Sequence, residues 1–261
     1  MTLSSEQQAL AEALLDAYKT GHSLPIEQAA TAVSTLEDAY GIQAMVSQKK
    51  DTPIAGYKIS LTSEQTQKLF ASDEPLYGAE EQAQMLTSPA TVNLADFLEP
   101  LVEIELVFTA TETLSETDTL PELCEKLTVA PGIELPDSRF ADWFPDLNKY
   151  LVVSDGAVGG RIVVGTSQPV TNFSLEELAT IQGTLTIDDQ KVAEGLSSEV
   201  LTNPLLSVQW LIKKLAQTNQ TISAGMHISS GTFIFPVPLK KGSFKASYSH
   251  GIGEVIVQAI E

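Results

Sequence analysis

From about Pro53 onward the chain is cut into short runs of β-type residues, and no helical segment alternates regularly with them. The runs read "AGYKISL", "LVEIELVFTA", "GGRIVVG", "GTLTIDDQKVAEG", "HISSGTFIFPVPL", "SFKASYS" and "GEVIVQAI", divided by Gly, Pro and Asp. A doubly wound parallel sheet needs a crossover helix between successive strands, so this texture disfavours one. "GTLTIDDQKVAEG" predicts a hairpin that turns at Asp188-Asp189.

Ahead of Pro53 the pattern is helical. Residues 4–19, "SSEQQALAEALLDAYK", combine helix formers with apolar positions at helical spacing and end at Gly21. A second helical pattern starts near Pro25 and runs through "TLEDAYGIQAMVSQKK", where Thr35 and Asp38 stand at capping-box spacing. Two more helices are expected at "SLEELATIQ" and at "PLLSVQWLIKKLAQ", whose Val208, Leu211 and Leu215 share a face. Residues 110–130 are polar enough to form a loop leading into a short helix. The organisation expected is a helical segment over 1–52 and a β-rich unit over 53–261, together one compact body.

Charge narrows the partners. With 15 Lys+Arg against 34 Asp+Glu, the net charge of −19 repels phosphate backbones and anionic membranes. An anionic substrate then needs a metal ion or a few concentrated cations to reverse the local field. The single Cys124 excludes an internal disulfide and a cysteine-clustered metal site, and no apolar run approaches the roughly 20 residues that span a bilayer. "MTLSSEQQALAEALL" lacks the basic start and apolar core of a signal peptide, so a cytoplasmic location is expected.

Four stretches can carry chemistry. In "PLVEIELVF", Val102, Ile104, Leu106 and Phe108 mark one strand face and Glu103 and Glu105 the other. Residues two apart on a strand lie about 6.5–7 Å apart on one side, so the two carboxylates can converge on a hard cation; for a bare E-x-E pattern a solvated strand face is the simpler reading. "PGIELPDSRFADW", residues 131–143, places Glu134, Asp137 and Arg139 among apolar residues and prolines, the texture of a shaped loop at a strand end, with a structural Asp137–Arg139 pair as the simpler alternative. In "GYKISLTS", Lys58 sits among Tyr57, Ile59 and Leu61 and either snorkels to solvent or has a lowered pKa. In "SSGTF", the hydroxyls of Ser229, Ser230 and Thr232 surround Gly231 and can hold a carboxylate, although such residues are common in plain turns. His22, His227 and His250 show no ligand spacing, and no phosphate-binding loop, dinucleotide fingerprint, nucleophile elbow or zinc-protease pattern occurs.

Together these pieces resemble the fumarylacetoacetate hydrolase superfamily, more narrowly its branch of 2-oxopent-4-enoate (2-keto-4-pentenoate) hydratases and 4-oxalocrotonate decarboxylases. "TLEDAYGIQ", "GYKISLTS", "DEPLYG", "VEIELVF", "PGIELPDSRFADW", "NPLLSVQWL", "ISSGTFIFPVPLKKGS" and "GIGEVIVQ" follow the family's order and spacing over nearly the whole chain. The resemblance implies an α+β fold, with a helical N-terminal part packed on a mixed β-sandwich roll. It implies Mg²⁺ or Mn²⁺ held by Glu103, Glu105 and Glu134, and a metal-dependent lyase acting on a small 2-keto acid chelated through its 1-carboxylate and 2-oxo oxygen.

Lys58 matches the proton-transfer lysine of the family's "G-x-K-I-G-x-T" segment. Leu61, Ser63, Leu76, Arg139, Ser230 and Thr232 fall where the family contacts substrate. The activity implied first is hydration of 2-hydroxypenta-2,4-dienoate to 4-hydroxy-2-oxopentanoate, with a 4-oxalocrotonate-type decarboxylase as the alternative; an acylpyruvate hydrolase and a non-catalytic keto-acid binder come after these. A role in aromatic-compound catabolism and a homo-oligomer are expected from the same resemblance. Two departures bear on substrate choice: Leu76 stands where the hydratases carry an acid, and Ser60 stands where the family has glycine.

Overall fold

The computed structural model describes residues 3–261. Helix α1 (Ser5–Thr20) opens with a capping box between Ser4 and Gln7 and stops at Gly21 in the left-handed conformation. The pattern from Pro25 divides in two: α2 (Ile26–Ala29) is a single turn, and α3 (Leu36–Gln48) starts where the Thr35 hydroxyl accepts the Asp38 N–H. Leu10 and Leu14 of α1 and Ile42 and Val46 of α3 share one apolar cluster with Leu61, Leu76, Phe140, Trp143 and Leu151. The N-terminal helices therefore complete a core that the β-rich part begins.

The remaining elements, in chain order, are β1 (Ile54–Ser60), α4 (Glu64–Leu69), β2 (Leu76–Glu81), β3 (Met85–Thr87), β4 (Ala90–Asn93), β5 (Leu101–Ala110), α5 (Leu120–Lys126), β6 (Leu127–Leu135), α6 (Lys149–Ser154), β7 (Arg161–Val164), β8 (Gln168–Pro169), α7 (Leu175–Ala179), β9 (Gln182–Ile187), β10 (Gln190–Leu196), α8 (Pro204–Ala216), β11 (His227–Ser229), β12 (Val237–Pro238), β13 (Gly242–Tyr248) and β14 (Gly253–Ile260). One sheet runs β2-β1-β11-β5-β6-β7-β3, with β12 also on β5 and β8 on β6; the other runs β10-β9-β13-β14-β4. Pairing is mixed, since β1–β11, β3–β7 and β4–β14 are parallel and the other pairs antiparallel.

The sheets pack face to face. Val102, Ile104, Leu106 and Phe108 of β5 share a buried cluster with Leu185, Phe244, Val255 and Val257 of the second sheet and with Val208, Leu211 and Leu215 of α8. Burying each such side chain is worth about 1.5–3 kcal/mol, so the apolar face of β5 anchors the layer interface. The expected β9–β10 hairpin is present, and Asp188 and Asp189 both take positive φ, as a tight two-residue turn requires.

The segment from Pro131 corrects the loop expected there. Leu127–Leu135 is a nine-residue strand, and Pro131 sits within it. β6 pairs with β8 through Thr128 and Val129 and with β7 from Gly132 onward. Pro131 falls in the gap between these partners, where its missing N–H costs no ladder bond, and its carbonyl accepts the Gly165 N–H.

Candidate metal centre and its pocket

Four adjacent strands, β1-β11-β5-β6, bring the charged residues together. Glu103 and Glu134 are direct partners across β5–β6, Glu105 stands opposite Gly132, and Lys58 pairs with Ser229 across β1–β11. Like charges directly opposite one another destabilise a sheet, so this arrangement needs positive charge between the strands. One carboxylate oxygen from each of Glu103, Glu105 and Glu134 lies within 4.8 Å of the others. A hard cation with oxygen ligands at roughly 2.1–2.5 Å bridges such a span.

Lys58 supplies part of that charge. It is 1% exposed, which rules out snorkelling. Its Nζ donates to Ser60 Oγ (2.9 Å) and the Ala157 carbonyl (2.9 Å) and lies 2.6 Å from Glu134 Oε1. Burial alone would depress its pKa, but the charges of Glu134, Glu103 and Glu105 outweigh burial and hold it above the usual lysine range. The lowered pKa entertained from the sequence is thus reversed.

The carboxylates respond the other way. Burial pushes Glu103 up to about 7, with Lys58 opposing and Glu134 adding to the rise. Glu105 is also raised, first by burial and then by Glu134 and Glu103, although two hydrogen bonds hold it back. Those bonds come from Ser229 Oγ (2.6 Å) and the Gly231 N–H (2.8 Å), both to Oε2. The hydroxyl-and-glycine stretch thus clamps a carboxylate, and the carboxylate belongs to the protein. Glu134 Oε2 is buried without a hydrogen-bond partner.

The charge count tests the fit of an ion: three ionised carboxylates and one ammonium leave two negative charges, which a divalent cation cancels. The unpartnered Glu134 oxygen and the all-oxygen donor set suit a hard divalent ion.

Beside the carboxylates lies a pocket lined by Lys58, Glu103 and Glu105 and by Leu61, Thr62, Trp143, Phe144, Thr232 and Phe235, among others. Of the expected substrate contacts, Leu61 and Thr232 line it. Ser63 instead caps α4, accepting the Thr66 N–H. Ser230 is fully buried behind the wall, with its carbonyl on Ser207 Oγ and its own Oγ unpartnered. Leu76 does not line the pocket; it is packed in the apolar cluster that also contains Leu61 and Phe140.

Arg139 is the largest correction. Its Nε donates to Asp155 Oδ1, its Nη1 to the Gly159 carbonyl and its Nη2 to the Asp155 carbonyl. Three of its five N–H donors are taken inside the protein, and Arg139 is not among the residues that line the pocket. Asp137 is not its direct partner; that carboxylate accepts the N–H groups of Leu98 and Glu99. Arg139 holds both ends of a turn in which Ala157 and Val158 take positive φ, a conformation that costs about 1–3 kcal/mol per residue. This turn presents the Ala157 carbonyl to Lys58, so Arg139 acts on the site through the backbone.

Sequence reasoning missed Asp155, the Ala157 carbonyl and Thr62. Nothing local marks the first two, since each acts on a residue 16 or more positions away. The aromatic run "ADWF" beside Pro145 was a usable sign of a pocket wall.

No family model matches the chain. It is 28% identical over 260 residues to a 2-keto-4-pentenoate hydratase of Paraburkholderia xenovorans, covering 98% of this chain and 95% of that protein. It is 26% identical over 256 residues to a 4-oxalocrotonate decarboxylase of a Pseudomonas species, covering 92% of each. Among solved structures, the 4-oxalocrotonate decarboxylase of Pseudomonas putida G7 complexed with magnesium and adipate superposes with a TM-score of 0.89 at 25% identity over 99% of both chains. The fumarylpyruvate hydrolase of Pseudomonas aeruginosa, in complex with Mn²⁺ and pyruvate, shares the fold at a TM-score of 0.62 and 13% identity, covering 81% of this chain and 92% of that one. In sequence and in its mixed two-sheet fold, the chain is thus similar over nearly its whole length to the 2-keto-4-pentenoate hydratases and the 4-oxalocrotonate decarboxylases.

Proposed function

We propose that the protein is a divalent-metal-dependent lyase of small 2-keto acids, and that its reaction is hydration of 2-hydroxypenta-2,4-dienoate to 4-hydroxy-2-oxopentanoate. The observation that carries this reading is the convergence of Glu103, Glu105 and Glu134 beside a protonated, buried Lys58. The three carboxylates would hold Mg²⁺ or Mn²⁺, which draws electron density toward the carboxylate end of a bound 2-keto acid. Lys58 holds its proton at Nζ, fixed by Ser60, Ala157 and Glu134, on the pocket wall where a bound dienol lies. Donation of that proton to C5 of the dienol, with the enol O–H proton lost in exchange to restore the Lys58 ammonium, yields the conjugated ketone, to which water adds its OH at C4 and its H at C3. The Ser229 and Gly231 donors keep Glu105 in place, and the apolar walls exclude bulk water from the reacting chain.

Decarboxylation of a 4-oxalocrotonate-type substrate is the second reading, supported by the extent of the fold likeness to the decarboxylase and by the buried, apolar Leu76 where hydratases carry an acid. An acylpyruvate hydrolase would need a water-activating histidine, and among the described residues no histidine lines the pocket. The assay is purified protein with Mg²⁺ and either 2-hydroxypenta-2,4-dienoate or 2-oxohex-3-enedioate, following dienol absorbance and CO₂ release. Loss of the dienol without CO₂ is expected; a folded, metal-loaded sample that turns over neither compound overturns both lyase readings.

A further inference from the structure

The pocket has a charged floor and an apolar rim. Lys58 and Glu105 at its base are each 1% exposed, whereas Leu69 and Phe235 on the same wall are 45% and 51% exposed. Between them the lining is Leu61, Phe70, Trp143 and Phe144, with Phe144 tilted against Trp143 and Phe235. The polar groups of this wall are threonine and serine hydroxyls, and Thr232 Oγ1 donates to the Ile234 carbonyl.

Positive charge is confined to the floor. Among the described residues Lys58 is the only cationic side chain lining the pocket, and its three donors are committed there. Arg139 is spent on Asp155 and Gly159, and Lys149 is turned to the Ala71 carbonyl at 2.6 Å. A second carboxylate lying among Phe70, Trp143 and Phe144, below the half-exposed rim, would meet apolar faces with no counter-ion, inside a protein of net charge −19. Burying an ionised group without a partner is strongly unfavourable, whereas an alkyl or aryl end gains from the same walls.

We infer that the site selects by the far end of its substrate: it takes monocarboxylic 2-keto acids and 2-hydroxy-2,4-dienoates that end in hydrogen, alkyl or aryl, and discriminates against dicarboxylic ones. The inference rests on the proposed metal-centred reading for the near end of the ligand. Within that reading it favours the hydratase over the decarboxylase, whose substrate carries two carboxylates.

The test uses inert ligands, so that binding is read without turnover. Titration calorimetry on the Mg²⁺-loaded protein compares pyruvate, 2-oxohexanoate and 2-oxoadipate, the last two differing only in a terminal methyl against a carboxylate. The expected result is 2-oxohexanoate binding at least about tenfold more tightly than 2-oxoadipate, with a gain of about fourfold over pyruvate for each buried methylene. Phe235→Arg, an exposed position whose replacement leaves the core untouched, is expected to narrow or reverse that ratio. If pyruvate binds but 2-oxoadipate equals or exceeds 2-oxohexanoate in the parent protein, the inference is overturned while the metal reading stands. If pyruvate does not bind in a Mg²⁺-dependent way, the metal reading falls and the inference with it.

Discussion

Two buried charged clusters sit on either side of the turn at Ala157 and Val158, and they are built on opposite rules. Around Arg139 and Asp155 one positive charge meets one negative charge. Asp155 Oδ2 takes the Ser138 hydroxyl and the Arg139 N–H, Oδ1 takes Nε, and the remaining guanidinium nitrogens take carbonyls. Around Glu103, Glu105 and Glu134 the acids exceed the cations by two, and a buried oxygen is left without a partner. Balance marks a cluster that holds the fold; a surplus of one sign marks one shaped around something that arrives from outside. The same residue types serve both purposes, so it is the count of partners that separates them.

The comparison can be broken from its balanced side first. Arg139→Met strands the Asp155 carboxylate in the interior, and the expected loss is about 3–5 kcal/mol, read as a lower denaturant midpoint. A variant as stable as the parent would show that the pair is dispensable. On the surplus side the sign reverses: Glu103→Gln relieves repulsion and is expected to stabilise the metal-free protein at pH 8 by about 1 kcal/mol. The same substitution should weaken Mg²⁺ binding on the order of 100-fold by calorimetry; unchanged affinity there and in Glu134→Gln would remove the site.

A smaller effect follows pH. Glu103 is raised to about 7 and Glu105 above its usual range, in each case first by burial, so both carry protons in the folded protein under conditions where the unfolded chain has lost them. Stability of the metal-free protein therefore falls as pH climbs from about 4.5 through 7, because the unfolded state binds fewer protons there. Mg²⁺ affinity should climb over the same interval, by at least about tenfold per unit below pH 7, since binding must displace the proton on Glu103 and any on Glu105. A flat affinity between pH 6 and 8 would contradict the shifts. A further pH-dependent effect is expected at Glu80, fully buried with Oε2 unpartnered and raised to about 7, chiefly by burial and then by Glu134. Glu80→Gln is expected to add about 1–2 kcal/mol at pH 8 and nothing below about pH 4.5, where both states are protonated.

Local chemistry made much of this structure legible. Ser4, Gly21 and Thr35 mark helix ends, Asp188-Asp189 marks the hairpin, and the alternation of "LVEIELVF" marks β5 with its acidic face. β6 was hidden because Pro131 and Gly132 normally interrupt a strand, and only the handover between β8 and β7 makes a proline harmless there. The ligand set was within reach as a pattern, yet the pairing of Lys58 with Glu134 spans 76 positions and is settled by strand order alone. Arg139 misled for the same reason: its motif placed it beside Glu134 in sequence, but its partner lies across a turn whose shape no short pattern encodes.

One contact at the end of β1 bears on how reliably the chain assembles this site. Gly231 takes a φ of +115°, and a side chain there would meet Thr62 atoms at 2.3–2.9 Å. Thr62 in turn follows Leu61, itself at positive φ. The segments that follow the two strands interlock like a bolt in its keep, just past the rung that pairs Lys58 with Ser229. A slip of one residue between β1 and β11 would turn Lys58 to the opposite face and carry the Glu105 clamp away from its carboxylate. The close packing of Gly231 on Thr62 favours the alignment of the two strands that turns the lysine toward its acids.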